Sequence, residues 1–120
     1  MNIKITILIL LSVGLLTSCE YAYTYSYSVT NSSDTTIDIK VKTLRVDSVF
    51  KVTKDETKIL FMKEHGIEGA KGPYPRDVNK DLNIFTVTKG QAQSKRDYLK
   101  NINWTFEKGV YSTIITNDEF

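Results

Sequence analysis

The sequence predicts an all-β fold, a single antiparallel β-sandwich that follows an N-terminal lipoprotein signal peptide. Three observations support the sandwich. Short segments alternate between apolar and polar residues, turn-forming residues separate these segments at regular intervals, and no window of helical length keeps a 3.6-residue period. About seven short strands with this spacing are typical of a sandwich or a small barrel.

The first 18 residues have the organisation of a secretory signal peptide. Lys4 is the only charge before Cys19, and apolar residues dominate from Ile5 to Leu16. A transmembrane helix needs about 20 apolar residues, so this run is short for a stable span. Small polar residues end the run, and we expect cleavage between Ser18 and Cys19.

Cys19 is the only cysteine in the chain, so an intramolecular disulfide is excluded. Its context, Leu16-Thr17-Ser18-Cys19, resembles the bacterial lipoprotein box. The resemblance implies a diacylglyceryl group on the thiol, removal of residues 1–18, and acylation of the new amine by a chain such as palmitate. Stable anchoring takes two or more acyl chains, which this processing supplies. The alternatives for Cys19 are a free reactive thiol and an intermolecular disulfide.

The mature chain would have 102 of the 120 residues, which suits one modest domain. Its formal charge falls from +2 to +1, because Lys4 is removed and no acid is. A near-neutral domain gives no electrostatic reason to expect nucleic acid as a partner. We expect residues 19–24 to form the lipid anchor with a short tether, and residues 25–120 to form the sandwich.

The strands are predicted in order along the mature chain. Strict alternation predicts the first strand over 21–29, and a polar turn connects it to a second strand over 37–43, as a hairpin or as neighbouring strands. The segment 58–64 is more continuously apolar, which favours a central strand. The other predicted strands are 48–52, 83–89, 103–107 and 110–116, and residues 94–102 fit either a short strand or a helical turn.

Aromatic residues occupy one face of the first strand. We expect Tyr25, Tyr27 and Val29 to line the core, together with Trp104. The tyrosines at 21 and 23 would instead belong to the tether or lie near lipid headgroups, where tyrosine is favoured.

Residues 65–82 form the longest stretch without periodicity, and loops of this length are usually functional or disordered. Tyr74 and Arg76 lie beside prolines in this stretch. Proline lowers the entropy cost of binding, and Tyr and Arg are common binding residues. We therefore take Tyr74 and Arg76 as the candidate binding residues.

The residues needed for catalysis or for a metal site are sparse. His65 is the only histidine, and it stands where we expect a solvated loop. Asp77, Asn79 and Asp81 resemble the first half of a calcium loop, but the required Gly and Glu are replaced by Leu82 and Thr88. We expect no catalytic residues, no metal site and no cofactor.

The mature sequence is similar to small lipoproteins of Bacteroidota that carry an immunoglobulin-like β-sandwich. The resemblance is carried by "SCE", "YSVTNSSDTTIDIKV", "VTKDETKIL" and "NWTFEKGVYSTIITNDEF". It implies an immunoglobulin-like domain that is anchored in the outer membrane. An Asp directly after the lipidated Cys favours retention in the inner membrane, and this chain has Glu20 at that position. The triplets Asp34-Thr35-Thr36 and Asp47-Ser48-Val49 resemble the O-glycosylation motif of that phylum. Whether the domain faces the periplasm or the cell surface stays open.

These observations predict a membrane-anchored envelope lipoprotein that acts as a non-catalytic binding or accessory module. Its partners would be the membrane, through the anchor at Cys19, and an envelope protein or glycan. The first alternative is a structural or protective envelope component without a defined ligand. The second is a small hydrolase that uses His65.

Overall fold

The structure is a computed structural model that describes residues 21–67 and 72–120. These residues contain eight strands. In chain order they are β1 (Tyr21–Asn31), β2 (Ile37–Lys42), β3 (Asp47–Val52), β4 (Thr57–Ile67), β5 (Ile84–Lys89), β6 (Ala92–Gln93), β7 (Thr105–Glu107) and β8 (Val110–Ile115). Three single-turn 3-10 helices span Val78–Lys80, Asn101–Asn103 and Asn117–Glu119. The predicted signal peptide, cleavage site and Cys19 lie outside the described residues.

The first sheet has the strand order β4-β1-β8-β7. β1 pairs with β4 in the antiparallel sense, from Tyr21 opposite Ile67 to Thr30 opposite Thr57. On its other side β1 pairs with β8 in the parallel sense. The register shifts beyond Tyr27, which makes a β-bulge in the β1–β4 pair. β1 is therefore hydrogen-bonded on both sides within this sheet.

The second sheet has the order β3-β2-β5-β6, and all its neighbours are antiparallel. β2 lies in the middle, with Ile39 opposite Phe50 of β3 and Val87 of β5. β3 and β4 are edge strands of different sheets, and they contact each other along one side of the sandwich.

Alternate residues of both sheets point into one shared core, as the period of two predicts. Tyr25, Tyr27 and Val29 are fully buried, so the expectation that they line the core is confirmed. Trp104 is also buried, and its indole N–H donates a 2.8 Å hydrogen bond to the carbonyl of Tyr98. The other buried apolar side chains are Ile37, Ile39, Val41, Val52, Leu60, Val78, Leu82, Phe85, Val87, Tyr98, Tyr111 and Ile115.

The all-β sandwich is confirmed by these two packed sheets. It is not purely antiparallel as expected, because β1 and β8 pair in the parallel sense. Two expectations about single strands are also wrong. β1 and β2 lie in different sheets, because the turn between them carries the chain across the sandwich. β4 is an edge strand and not a central one. Ile59 and Met62 made its sequence look continuously apolar, yet these residues are 53% and 61% exposed on the outer face.

The stretch 65–82, expected as one long loop, is partly regular and partly packed. β4 continues through its first three residues, to Ile67. Residues 72–77 then run without regular structure to the 3-10 helix at Val78–Lys80. Val78 and Leu82 are fully buried. Residues 72–82 therefore cover the inner face of the first sheet.

Candidate functional site

The carboxylate of Asp81 lies at the centre of a buried polar cluster. Its side chain is 0% exposed, and its oxygens face one hydroxyl and three basic groups. The Tyr27 hydroxyl donates to Oδ2 at 2.7 Å, and His65 Nε2 lies 3.1 Å from Oδ1. Lys63 Nζ lies 3.3 Å from Oδ1, and one guanidinium nitrogen of Arg76 lies 3.9 Å away. We call these five residues the Asp81 cluster.

Three parts of the chain bring the cluster together. Lys63 and His65 are two positions apart in β4, so their side chains leave the same face of the strand. The 3-10 helix turns the chain so that the backbone N–H of Asp81 bonds the carbonyl of Val78, which directs the Asp81 side chain toward β1 and β4. Lys63 and His65 are far from Asp81 in sequence, so only the tertiary fold pairs them.

Two tyrosine hydroxyls fix the segment that leads to Asp81. The Tyr25 hydroxyl donates to the carbonyl of Tyr74 at 2.8 Å. The Tyr111 hydroxyl donates to the carbonyl of Arg76 and accepts from its N–H. Burial raises the pKa of both tyrosines, which keeps these hydroxyls protonated and able to donate. Residues 74–76 are therefore held on the ends of two core side chains.

The surroundings of the cluster determine its charge state. Burial raises the pKa of Asp81, but the hydrogen bond from Tyr27 and the nearby Lys63 and His65 more than offset this, so the pKa of Asp81 lies below its ordinary value. Burial lowers the pKa of His65, and the positive charges of Arg76 and Lys63 add to this effect against the attraction of Asp81. At neutral pH the cluster therefore contains one carboxylate, two cations and a neutral imidazole.

The two cations are only partly buried, in contrast to the carboxylate. The side chains of Lys63 and Arg76 are 33% and 32% exposed. Because they share one negative charge, the cluster presents an excess positive charge to solvent. An anionic group on a ligand or partner would complement this charge.

A cleft of about 490 Å³ adjoins the cluster at the side of the sandwich where the two edge strands meet. The turn between β2 and β3 forms one wall, and β4 forms the other. Its lining residues are Thr43, Leu44, Arg45, Val46, Phe61, Met62, Lys63 and Glu64. Leu44 is 86% exposed and Met62 is 61% exposed. Lys63 belongs to both the cleft and the Asp81 cluster, so it links the positive charge to this apolar surface.

The two residues predicted to bind a partner have different environments. The Tyr74 side chain is 44% exposed, while its backbone is fixed by Tyr25. The guanidinium of Arg76 points toward Asp81 and is partly buried. The structure therefore places Tyr74 at the surface and gives Arg76 a contact within the domain.

His65 lies on β4 with its ring edge-on to Tyr25 at 5.2 Å between centroids, so it is part of a packed surface and not of a solvated loop. The residues that resembled a calcium loop diverge. Asp81 faces the basic groups, whereas Asp77 accepts a 2.7 Å hydrogen bond from the side chain of Asn101. Within residues 21–67 and 72–120, no group of three acidic, His or Cys side chains is placed to hold a metal ion.

Both triplets that resemble glycosylation motifs contain exposed residues. Thr35 lies in the turn between β1 and β2, and Ser48 lies on the edge strand β3. Either hydroxyl is accessible to a modifying enzyme, and modification at both triplets stays a prediction.

Sequence reasoning missed Lys63 and the cluster that Asp81 organises. Lys63 looked like an ordinary polar residue of a predicted strand, and Asp81 looked like part of a polar turn. Asp81 directly precedes the apolar Leu82, but Asp77 directly precedes the apolar Val78 in the same way, so this feature does not single out Asp81. Such a position is compatible with burial, but it does not identify the basic partners.

Comparison with known protein families, curated proteins and solved structures gives no match to this chain. Among the described residues, no helix is long and apolar enough to span a membrane.

Proposed function

We propose that this protein is a cell-envelope lipoprotein, anchored by acyl chains on Cys19, that acts as a non-catalytic binding module. The lipoprotein box and the leader before it support the anchor. The outer membrane is the proposed location, and an immunoglobulin-like arrangement of the two sheets is the proposed fold type. The pairing of the N-terminal and C-terminal strands, β1 and β8, in one four-stranded sheet is compatible with that fold type.

The cleft beside the Asp81 cluster is the observation that carries the binding role. Large exposed apolar side chains rimmed by charged residues are typical of interaction sites. Leu44 and Met62 are such side chains, and Arg45 and Lys63 line the same cleft. We propose a protein partner that presents an apolar side chain next to an acidic one. A glycan partner would instead need exposed aromatic rings. Phe61, the aromatic residue that lines this cleft, is partly buried and is not such a ring.

Site-specific cross-linking in intact cells tests the binding role. A photoreactive amino acid replaces Leu44 in one variant and Ile102 in a matched control. Ile102 is 87% exposed and lies near the opposite edge of the first sheet, away from the cleft. A discrete adduct at position 44 that is absent at position 102 supports the binding module. Loss of that adduct on Met62→Ser would assign it to the cleft.

The structural or protective alternative predicts a different pattern in the same experiment. A coat component without a defined ligand would give the same set of abundant envelope proteins at positions 44 and 102. That result would contradict the binding module, and it would leave the proposed anchor unaffected.

Tyr74 and Arg76 remain proposed contact residues for the partner. Their alanine variants do not test this proposal equally well. Tyr74→Ala removes an exposed ring while the Tyr74 carbonyl still accepts from Tyr25. Arg76→Ala also removes a charge that faces Asp81, so lost binding in that variant could come from altered packing. Unchanged partner binding in Tyr74→Ala would remove this segment from the contact surface.

The hydrolase alternative relies on the pair formed by His65 and Asp81, which resembles the base and orienting group of a catalytic triad. Within the described residues, the imidazole hydrogen-bonds to Asp81 and to no Ser, Thr or Cys side chain. The described residues therefore present no hydrogen-bonded hydroxyl or thiol nucleophile to His65, and we propose a non-catalytic role. Turnover of a hydrolase substrate that His65→Ala abolishes would contradict this proposal.

A further inference from the structure

The chain between the proposed anchor and the first strand is very short. β1 begins at Tyr21, two positions after Cys19. Residues 21–24, expected in the tether, are paired with β4 residues 64–67 and belong to the sheet. An extended residue spans at most about 3.6 Å, so the Cα atom of Tyr21 lies within about 7 Å of that of the acylated residue.

Several parts of the domain share the end at which β1 begins. Gly72 lies against the ring of Tyr23, where an added Cβ would lie 2.6 Å from a ring carbon. Gly109, in the turn between β7 and β8, lies against both the carbonyl of Thr24 and the ring of Pro73. We call this surface the anchor-side end and define it as residues 22–24, 72–75 and 108–109.

The exposed side chains of the anchor-side end suit a headgroup region. Tyr74 is 44% exposed between Pro73 and Pro75, and Lys108 is exposed in the adjoining turn. Tyrosine is enriched where membrane and water meet, because its ring is apolar and its hydroxyl is polar. A lysine close to an anionic headgroup adds electrostatic attraction. The hydrogen bond from Tyr25 fixes the Tyr74 backbone, so less backbone entropy is lost when this position contacts a surface.

We infer that the anchor-side end packs on the headgroup region of the bilayer that holds the acyl chains, with Tyr74 and Lys108 as its contacts. This inference rests on the proposed anchor at Cys19. The opposite end, which includes Gln91 in the turn between β5 and β6, then points away from the membrane. The cleft beside Lys63 lies close to the anchor-side end, because Glu64 in its lining pairs with Thr24 of β1.

Lipid quenching of a fluorescent probe tests this orientation. Tyr74→Cys, Lys108→Cys and Gln91→Cys are each expressed as full-length protein and purified in the acylated form. Because Cys19 is acylated, the introduced cysteine is the single free thiol and takes a bimane label. The proteins are reconstituted into vesicles of phosphatidylethanolamine and phosphatidylglycerol, with or without lipids brominated near the headgroup. Flotation of the vesicles reports the anchor independently of the probe.

The expected result is loss of fluorescence in brominated vesicles for probes at 74 and 108, and unchanged fluorescence for the probe at 91. If the protein floats with the vesicles but neither the probe at 74 nor the probe at 108 is quenched, the inference is overturned and the proposed anchor is left intact. Quenching at 91 would overturn it as well, because the domain would then lie with its opposite end on the bilayer. Protein that is unacylated and fails to float would overturn both proposals. Two probe positions at one end ensure that a folding defect in one variant does not decide the result.

Discussion

The Tyr27 hydroxyl donates a 2.7 Å hydrogen bond to Oδ2 of Asp81, although the two residues are 54 positions apart. This bond joins the middle of β1 to the segment that follows β4. It also supplies a donor to a carboxylate that has lost all contact with water. Burial, reinforced by this bond to Asp81, raises the pKa of Tyr27, so the hydroxyl stays protonated as the donor.

Removing the Asp81 charge should strongly destabilise the domain. Asp81→Asn leaves Lys63 and Arg76 partly buried without their counter-charge, which costs about 3–5 kcal/mol in comparable buried ion pairs. Tyr27→Phe removes one hydrogen bond to a charged, buried acceptor, which costs about 1.5–3 kcal/mol. The free energy of unfolding, measured in urea for each variant and the wild type, tests both values.

Asp34→Asn is the matched control for the Asp81 variant. The Asp34 carboxylate also pairs with a lysine, Lys89, at 3.0 Å, but its side chain is 66% exposed. Exposed pairs of this kind contribute little to stability, so we expect an unchanged unfolding midpoint. Equal effects of Asp34→Asn and Asp81→Asn would show that burial does not increase the contribution of the Asp81 carboxylate to stability.

Stability should fall as the pH drops below about 6.5, because of His65. Burial and the adjoining cations Lys63 and Arg76 hold the pKa of His65 below its ordinary value of 6.5. In that pH range the unfolded chain binds a proton that the folded chain does not, so the free energy of unfolding rises with pH. Asp81 affects stability in a lower pH range. Its pKa is lowered from 3.8, so the stability that it contributes is present above pH 3.8 and is lost as the pH falls further.

Unfolding in urea at a series of pH values between 8 and 5 measures this effect. His65→Gln keeps a polar side chain but removes the titrating group, so the slope between about 6.5 and 5 should flatten. A slope that persists in His65→Gln would show that another group is responsible.

Gly109 should tolerate substitution less well than Gly90. Both have a positive φ, +84° and +60°, so alanine is strained at either position by about 1–2 kcal/mol. At Gly109 an added Cβ would also lie 2.9 Å from the carbonyl oxygen of Thr24, whereas at Gly90 it meets nothing within 4 Å. We expect Gly109→Ala to cost a further 1–3 kcal/mol, about the cost of overpacking. Equal thermal shifts for the two variants would contradict the packing seen at the anchor-side end.

The Asn31 side chain should be essential to the crossing between the sheets. It ends β1 in the first sheet, and its amide donates to the carbonyl of Val52 at the end of β3 in the second. The same amide donates to the carbonyl of Thr35, and its oxygen accepts from Ser33. Asn31→Ala leaves several buried groups without partners, which we expect to cost about 2–4 kcal/mol. Ser32→Ala, at the exposed neighbour, should leave the unfolding midpoint unchanged.

The local elements were predictable from sequence because their patterns are local. The alternation around Tyr25 and Tyr27 predicted both a strand and its buried face, and the structure confirms both. The same reasoning failed for β4. Ile59 and Met62 are apolar residues on an outer face, and a sequence pattern does not distinguish them from a second buried face.

The candidate site could not be predicted, because its residues meet only through the tertiary fold. His65 was identified as a candidate, yet Asp81, its hydrogen-bond partner, is 16 positions away. His65 is part of the site because β4 continues past the predicted strand end at residue 64. Lys63 is part of it because the bulge in the β1–β4 pair alters the register of β4 before that residue. Neither feature has a marker in the residues themselves.

The proposed function depends on the anchor at Cys19, and the intact mass of protein from its native membrane fraction is the measurement that tests this anchor. We expect the wild type to have the mass of residues 19–120 plus acyl chains, and Cys19→Ala to lack both the cleavage and the added mass. Wild-type protein that is soluble and unacylated would exclude the anchor. Cys19 would then be a free thiol, available for an intermolecular disulfide or for thiol chemistry.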